Sequence, residues 1–530
     1  MKRRTFLGTA AASLAVPVLA APSIARGAAA NVLKFVPQSN LTSLDPVWTT
    51  AAVTTNHAWN VYDTLYGVDH TLKPQPQMAE GHTVSSDQLT WTIKLRPGLK
   101  FHDNTPVRAA DCAASLSRWA ARDTFGQTMA PFVAEYKAVD DSTLAIRLHH
   151  PFPLLLDGLA KPSSSVPFIM PERIAKTDPF KQITEVIGSG PFRFLPKEYI
   201  SGSRVAYEKF AGYKPREGTP SWTSGGKVAH FNRVEWHIIP DTATASAALQ
   251  SGEVDWWEQV QADLIPMLKT NKNITFGIGD PTGYMGVIRF NELYPPFNNR
   301  LMREAILHAV DQKEYMAAVT GNDPKSYLLW HSFYPAKTPF GAPSVPDPMA
   351  RNPDLALAKQ LIAKAGYKGE KITIINPTNF ATIAPFGQIT YALFKKLGLN
   401  VTLDEMDWGS VVQRRAVTKP PAQGGWNVFH TWTTGMFIEN PAVSPIIRGQ
   451  GMKGWFGWYK SAKMEALNSQ WLTAPTVAAQ KKIAAQMQAL AFHDAPTVPL
   501  GEFFIHTAYR KNLTGVLVGP APFAWNCRMV

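Results

Sequence analysis

Helix and strand patterns alternate between residues 353 and 403, and this alternation restricts the folds open to the chain more than any other feature. Asn352-Pro353-Asp354 offers a cap, a first-turn proline and an acid, and apolar residues then keep helical spacing until Gly366. Two strands, Ile372–Ile375 and Val401–Leu403, follow with a second helix between them. Strands joined through helices pair in parallel, so the pattern predicts an α/β fold with a parallel or mixed sheet.

The other elements are predicted from the same periodicities. Residues 31–95 have the pattern of strands and turns, 109–122 of a helix and 132–149 of strands. A last helix is predicted at 477–493, ahead of strands at 497–518. A chain of 530 residues is too long for one compact core, so more than one structural unit is expected.

Residues 1–29 have the pattern of an export signal peptide. A basic start precedes an apolar run from Ala10 to Ala21, which is too short and too interrupted by proline to span a membrane. Arg3-Arg4 with Thr-Phe-Leu resembles the twin-arginine export motif. Lys2 stands where serine or threonine is usual, which leaves the ordinary secretory route open. The leader predicts a periplasmic protein that is soluble after the signal is removed.

The formal net charge is +13, and four of these charges belong to the leader, so the rest of the chain carries about +9. After the leader, basic residues occur at most in pairs, without the basic stripe and interleaved aromatics of a nucleic-acid-binding module. Nucleic acid is therefore not an expected partner. The two cysteines, Cys112 and Cys527, allow at most one disulfide, and their spacing does not show whether they pair.

The stretch 89–119 contains His102-Asp103 and Asp111-Cys112, which at first resemble a catalytic site. Neighbours on the extended segment 99–102 point to opposite faces, and neighbours on the helix beginning at Ala109 diverge. The pattern therefore predicts a scaffold rather than a reaction centre. The sequence contains no nucleophile elbow, HExxH, phosphate loop or paired CxxC, so no enzyme activity, metal or cofactor is predicted.

Several motifs occur along the chain in the order known from one family of receptors. Residues 89–112 are similar to its stretch "L-T-Y-T-F-x-L-R-P-G-V-K-F-H-D-G-T-P-V-x-A-x-D-V", with Asn104 in place of glycine and Cys112 in place of valine. The chain thereby resembles the family 5 extracytoplasmic solute-binding proteins, the dipeptide and oligopeptide receptors of ABC importers. Further similar motifs are Leu44-Asp45-Pro46, Tyr62-Asp63-Thr64-Leu65, Gly188-Ser189-Gly190-Pro191-Phe192, Phe290-Asn291, Arg303-Glu304-Ala305-Ile306, Ala358–Ile362 and Asp494–Leu500.

The resemblance implies a two-lobed periplasmic binding protein-like fold with an extra domain on the N-terminal lobe, which closes about a hinge over its ligand. On this basis residues 30–258 form the N-terminal lobe, with the extra domain inserted at about 70–180. Residues 259–495 form the C-terminal lobe, and 496–530 return to the N-terminal lobe. The expected partners are a small-molecule or peptide ligand and the permease subunits of an inner-membrane importer, and the protein is expected to be a monomer.

The family resemblance also points to the ligand site. Trp432 stands in a segment that lines the cleft in relatives, but Gly435 replaces the aspartate that holds a peptide's amino terminus. The segment 376–379 has no cation where an arginine is common. We therefore predict weak or no binding of unmodified dipeptides, and Glu439 is the nearest candidate counter-charge if the ligand carries an ammonium group. The remaining expected ligand contacts are the neutral side chains of Thr433, Thr434 and Asn379, and His430, which could sense pH beside Glu439.

Three functions follow from this interpretation. The first is a receptor for peptides or peptide-like solutes. The second is a receptor for another polar solute, such as an opine, a glycoside or an amino-acid conjugate. The third is a secreted hydrolase, which would turn over its substrate where a receptor shows only saturable binding.

Overall fold

The computed structural model describes residues 31–321, 323–343, 346–349 and 353–530. The predicted signal peptide and the predicted cap Asn352 lie outside these residues. The strands, numbered along the chain, are β1 (Val32–Val36), β2 (Asp63–Thr64), β3 (Tyr66–Val68), β4 (Pro74–Pro76), β5 (Ala79–Val84), β6 (Thr90–Leu95), β7 (Val133–Ala138), β8 (Thr143–Leu148), β9 (Phe168–Ile169), β10 (Phe192–Phe194), β11 (Arg204–Lys209), β12 (Arg233–His237), β13 (Trp256–Val260), β14 (Ile274–Ile278), β15 (Tyr284–Phe290), β16 (Tyr327–Leu328), β17 (Ile372–Pro377), β18 (Val401–Met406), β19 (Val428–Thr434), β20 (Thr497–Phe503), β21 (His506–Arg510), β22 (Leu513–Thr514) and β23 (Arg528–Met529).

The helices are α1 (Ala52–Val61), α2 (Ala109–Arg122), α3 (Thr124–Met129), α4 (Leu155–Ala160), α5 (Glu172–Ala175), α6 (Thr242–Ser251), α7 (Ile265–Leu268), α8 (Arg300–Ala309), α9 (Gln312–Thr320), α10 (Leu355–Lys364), α11 (Ala384–Lys396), α12 (Trp408–Arg414), α13 (Ala462–Leu472) and α14 (Val477–Asp494). Short 3-10 turns occur at Ala130–Phe132, Pro196–Glu198, Ala262–Leu264, Pro421–Gln423, Gly435–Phe437 and Gly451–Lys453.

Two large mixed sheets form the two lobes. The first has seven strands in the order β10-β11-β12-β1-β13-β21-β14, with β1 parallel to both neighbours. The second has six strands in the order β16-β20-β15-β19-β17-β18, with β17 parallel to β18 and β19. The predicted βαβ unit is confirmed, since α11 connects β17 to β18.

An antiparallel sheet of four strands, β5-β6-β8-β7, forms the additional layer of the first lobe, and α2 packs on it. The chain passes between the two large sheets at 279–283, after β14, and again at 504–505, between β20 and β21. The predicted boundary at 259 lies inside β13 of the first sheet, and the predicted boundary at 496 lies just before β20 of the second sheet. The division into domains otherwise stays a prediction.

The stretch 89–112 is part of the scaffold, as predicted. Strand β6 pairs with β5 and β8, and α2 begins at Ala109. The buried ring of His102 contacts the Gly190 carbonyl, with 3.1 Å between Nε2 and the oxygen, while Asp103 bonds to Thr105. Asp111 accepts a hydrogen bond from the backbone of Glu172 at 2.7 Å and so connects two helices.

Three local predictions are wrong. Residues 52–61 form α1 rather than strands and turns, because every residue from Val53 to Val61 is buried and no polar face reveals the helical period. The expected strand at 99–102 is only an isolated bridge between Lys100 and Pro106. Helix α10 is capped by Asp354, whose carboxylate accepts from the amide of Leu357 at 2.8 Å.

Both cysteines are buried and neither forms a disulfide. One apolar cluster extends through both lobes, and a smaller one lies against the first sheet around Leu249 and Trp257. None of the helices in the described residues combines the length and apolar character needed to cross a membrane. Within the same residues, histidine, cysteine and carboxylate side chains form no group suited to a metal ion.

Candidate ligand-binding cleft

A cavity that is partly open to solvent is lined by residues from both lobes; we call it the central cavity. One wall is formed by the segment after β1, the start of α1 and a serine pair before β9, and the other by the end of β19 and by α12. Its lining residues are Gln38, Ser39, Thr50–Val53, Thr55, Asn56, Ser163 and Ser164 on the first side, and Phe380, Ile383, Trp408, Arg415, Thr431–Thr434, Phe437 and Trp455 on the second, with Pro520.

The two walls are in direct contact. The hydroxyls of Ser163 and Thr434 are 2.7 Å apart. Thr50 Oγ1 accepts from the indole of Trp455 at 3.3 Å and from the guanidinium of Arg415 at 3.4 Å. The cavity is therefore closed by polar contacts between the lobes.

Four buried polar atoms of the central cavity have no hydrogen-bond partner in the described part of the chain. They are Ser39 Oγ, Ser164 Oγ, Thr433 Oγ1 and Arg415 Nε. An unsatisfied buried polar group costs about 1–3 kcal/mol, so such groups are normally paired. Their presence around one cavity indicates a site shaped for a polar solute.

Arg415 is the one cation among the residues that line the central cavity. Its side chain is 2% exposed and its guanidinium packs against Trp408, Phe429 and Phe456, at 5.6, 5.8 and 4.8 Å from the ring centroids. Within the described residues no carboxylate pairs with it, and burial lowers its pKa to about 9. An uncompensated buried guanidinium is a strong binding group for a carboxylate.

Arg415 was not predicted from the sequence. The resemblance placed the usual arginine near the segment 376–379, and this segment has no cation. A signal was available: Trp408, Val411 and Val412 are the buried residues of α12, and Arg415 follows them at helical spacing. A basic residue on the apolar side of a short helix indicates either a buried ion pair or a ligand site. The lining of the cavity favours the ligand site.

Trp432 lines the central cavity, where the sequence interpretation placed it. The ring is 7% exposed and packs edge-on against Tyr284, with 4.7 Å between centroids, and against Phe380 at 5.8 Å. Its indole donates to Thr382 Oγ1 at 3.0 Å. Trp432 therefore contributes both to the wall of the cavity and to the core of the second lobe.

Thr433 and Thr434 also line the central cavity, whereas Gly435 does not. The amide of Gly435 donates to the Gly283 carbonyl at 2.8 Å. A Cβ atom at position 435 would lie 2.1 Å from the carbonyl oxygen of Thr282. The absence of an aspartate here is thus imposed by close backbone packing.

The other predicted contacts are dispersed. Asn379 lines a neighbouring cavity, and its side-chain oxygen accepts from the amide of Trp408 at 2.8 Å. His430 is fully buried, 2.7 Å from Thr390 Oγ1, and burial lowers its pKa to about 3. The prediction that His430 could sense pH beside Glu439 is wrong, because the imidazole stays neutral throughout the physiological range.

Glu439 lines a separate cavity together with Asp157 and Lys161. Burial raises its pKa to about 7, with a further contribution from Asp157 that Lys161 opposes. Its oxygen accepts from the side chain of Asn440 at 3.2 Å. Glu439 is not among the residues of the central cavity, so a solute held by Arg415 does not meet it there.

The chain is similar to known receptors over nearly its whole length. Residues 73–453 match the sequence model of the bacterial extracellular solute-binding proteins, family 5. The probable peptide ABC transporter periplasmic-binding protein y4tO of Sinorhizobium fredii is 36% identical over 525 residues, which covers 98% of this chain and 97% of that protein. The glutathione-binding protein GsiB of Escherichia coli K12 is 27% identical over 500 residues, or 91% of each chain.

A solved structure of the same architecture is that of AgaA from A. tumefaciens R10 in complex with agropinic acid. It superimposes with a TM-score of 0.78 and 21% identity, over 94% of this chain and 99% of that one. At this identity the likeness establishes the two-lobed fold only. With the motifs, the family match and the closed polar cavity, the chain belongs to the family 5 bacterial extracellular solute-binding proteins.

Proposed function

We propose that this protein is the receptor of an ABC importer and captures small peptides or peptide-like solutes that carry a carboxylate. The observation that carries the proposal is Arg415, a buried guanidinium that faces the central cavity without a carboxylate partner among the described residues. The unpartnered hydroxyls of Ser39, Ser164 and Thr433 supply neutral contacts for amide groups.

The names of the relatives support a peptide-like solute. The S. fredii relative is described as a probable peptide receptor, and GsiB as a glutathione-binding protein. The sequence alone predicted weak binding of unmodified dipeptides, partly because no cation was found in the segment 376–379. Arg415 removes that reason, so we now expect small unmodified peptides with a free carboxylate to bind.

Capture and closure are coupled through Arg415. The guanidinium belongs to the second lobe, yet it reaches Thr49 and Thr50 of the first lobe at 3.5 and 3.4 Å. A carboxylate bound at this position contacts both lobes only when they are together. The solute therefore stabilises the closed form, which is the form that a permease distinguishes from the open one.

The proposal includes export to the periplasm, action as a monomer and delivery of the solute to inner-membrane permease subunits without chemical change. The leader at residues 1–29 supports export, and the family supports delivery. Fractionation of cells that express the full chain is expected to recover the shortened protein in the periplasm. Recovery in the cytoplasm with the leader intact would contradict this part.

The test of the ligand class is a thermal-shift screen of the purified protein against small peptides, opines, glycosides and amino-acid conjugates. We expect the largest increase in the unfolding midpoint with peptides that carry a free carboxylate, because a ligand stabilises the folded state by RT ln(1 + [L]/Kd). Mass spectrometry of the ligand after incubation is expected to recover it intact. Cleavage of the peptide would support a hydrolase, and stabilisation by neutral glycosides alone would overturn the carboxylate proposal.

A further inference from the structure

A second cavity adjoins the central cavity, and we call it the adjoining cavity. The two share Gln38, Asn56, Trp432 and Thr434 among their lining residues, so they lie side by side. The adjoining cavity contains a carboxylate, that of Glu258 in β13. A cation and an anion thus line two neighbouring cavities, Arg415 the central one and Glu258 the adjoining one.

Glu258 is held in place by neutral donors. One carboxylate oxygen accepts from the backbone amide of Gln38 at 2.7 Å, and the other accepts from the side chain of Asn56 at 2.8 Å. In the part of the chain that the structure describes, no basic side chain forms an ion pair with it. Burial without a counter-charge raises the pKa of this carboxyl to about 7.

The surroundings of Glu258 add negative charge rather than positive. Asp280 is 2% exposed. Burial raises the pKa of Tyr284, which lines the adjoining cavity, and the carboxyls of Asp280 and Glu258 raise it further. A buried carboxylate that has only neutral donors stays unfavourable in its charged form until a cation approaches it. This end of the cavity therefore complements an ammonium group.

We propose that Glu258 binds the ammonium group of the solute while Arg415 binds its carboxylate, so that the protein selects zwitterionic solutes with a free amine. The assignment rests on the proposed function and adds a binding partner for the second charged group of the solute, its amine. It also provides a carboxylate for the solute's amine although position 435 has no acidic residue, since backbone contacts there leave no space for a side chain. In this chain the carboxylate for the amine comes from the first lobe.

Residues at the start of α1 contact both charged groups. Thr50 accepts from Arg415 just before the helix, and Asn56 donates to Glu258 about one turn inside it. A solute that lies along this helix end meets the cation at one end and the anion at the other. The direction of a bound peptide is then set, with its amino terminus toward β13 and its carboxylate toward α12.

The experiment compares one mixture of small peptides in three forms: unmodified, N-acetylated and C-amidated. Calorimetric titrations and thermal shifts are measured for the wild type, Glu258→Gln and the control Glu253→Gln, an exposed glutamate just before the same strand. The wild type and the control are expected to prefer unmodified over N-acetylated peptides by roughly 10- to 100-fold, as for a charge-assisted hydrogen bond. Glu258→Gln is expected to lose this preference.

Titration with C-amidated peptides distinguishes a specific loss of amine recognition from misfolding of the variant. Glu258→Gln should still prefer the free carboxylate over the amide, because Arg415 is intact. Equal discrimination between free and acetylated amines by Glu258→Gln and the wild type would overturn the assignment. In the thermal-shift screen, stabilisation by opines that Glu258→Gln abolishes, without stabilisation by peptides, would overturn the peptide part of the proposed function and leave the zwitterion assignment standing. If neither peptides nor opines bind, both fail.

Discussion

Arg415 in the second lobe donates to Thr50 in the first lobe at 3.4 Å, and the same threonine oxygen accepts from Trp455 at 3.3 Å. Arg415 and Thr50 are 365 residues apart in the sequence, and their contact joins the two lobes. The guanidinium has no carboxylate partner in the described residues. The closed cleft therefore contains a charge that a solute can neutralise.

Replacing Arg415 by glutamine is expected to weaken the binding of carboxylate-bearing peptides by roughly 100-fold, because a buried charged hydrogen bond contributes about 1.5–3 kcal/mol. The unliganded protein should keep or slightly gain stability, since an uncompensated buried charge is removed. Calorimetric titration measures the first effect and thermal unfolding the second. Arg147→Gln, which changes an exposed arginine in the four-stranded sheet, is the control. Unchanged binding by Arg415→Gln would exclude this residue as the carboxylate site.

Introducing the family's aspartate at position 435 is expected to damage the fold rather than to create an amine site. The new Cβ would lie 2.1 Å from the backbone oxygen of Thr282, which has no rotamer to relieve the clash. Overpacking of this kind costs about 1–3 kcal/mol, and binding should not improve. Gly81→Asp, where a Cβ meets nothing within 4 Å, is the matched control and should change stability little. Tighter peptide binding by Gly435→Asp would refute this account.

Trp432→Ala is expected to lower both ligand affinity and stability. The ring packs on Tyr284 and Phe380, and removing a buried tryptophan costs about 3–5 kcal/mol. Trp432→Phe keeps most of the packing and removes only the indole bond to Thr382, so it isolates the effect on binding. Chemical denaturation and titration are measured on both variants. Full stability of Trp432→Ala would contradict a role in the core.

Glu439→Gln is expected to raise stability at high pH. Burial raises the pKa of Glu439 from 4.5 to about 7, so the folded protein holds this proton more tightly than the unfolded chain. The free energy of unfolding then falls as pH rises from 4.5 to 7, and the loss is complete above 7. Glutamine does not ionise, so the free energy of unfolding of the variant should exceed that of the wild type by up to about 3 kcal/mol at pH 8.

The difference between Glu439→Gln and the wild type should shrink steadily as pH is lowered toward 4.5. Thermal unfolding at several pH values measures it, and other titrating groups, such as the buried histidines, cancel in the comparison. Glu253→Gln, which changes an exposed glutamate, is the control. A stability gap for Glu439→Gln that is independent of pH would show that the carboxyl titrates normally in the folded protein.

Much of the fold follows from periodicity. The helix that ends before Gly366, the strands Ile372–Pro377 and Val401–Met406 and the last long helix were predicted within a few residues, because each has an amphipathic or uniformly apolar pattern with clear end signals. Helix α1 was missed because its residues are buried on all sides and the pattern carries no period. A buried helix and a buried strand look alike in a sequence of this kind.

The sequence by itself determined the family, and it predicted a scaffold in the stretch 89–112 and Trp432 as a residue of the cleft. Only the tertiary structure decided the charges of the site. Arg415 and Glu258 are 157 residues apart, in different lobes, and neither belongs to a motif. Folding places them beside two neighbouring cavities, and neither has a counter-ion among the described residues. Burial, which depends on the packing of distant segments, is what turns an ordinary charged residue into a binding group.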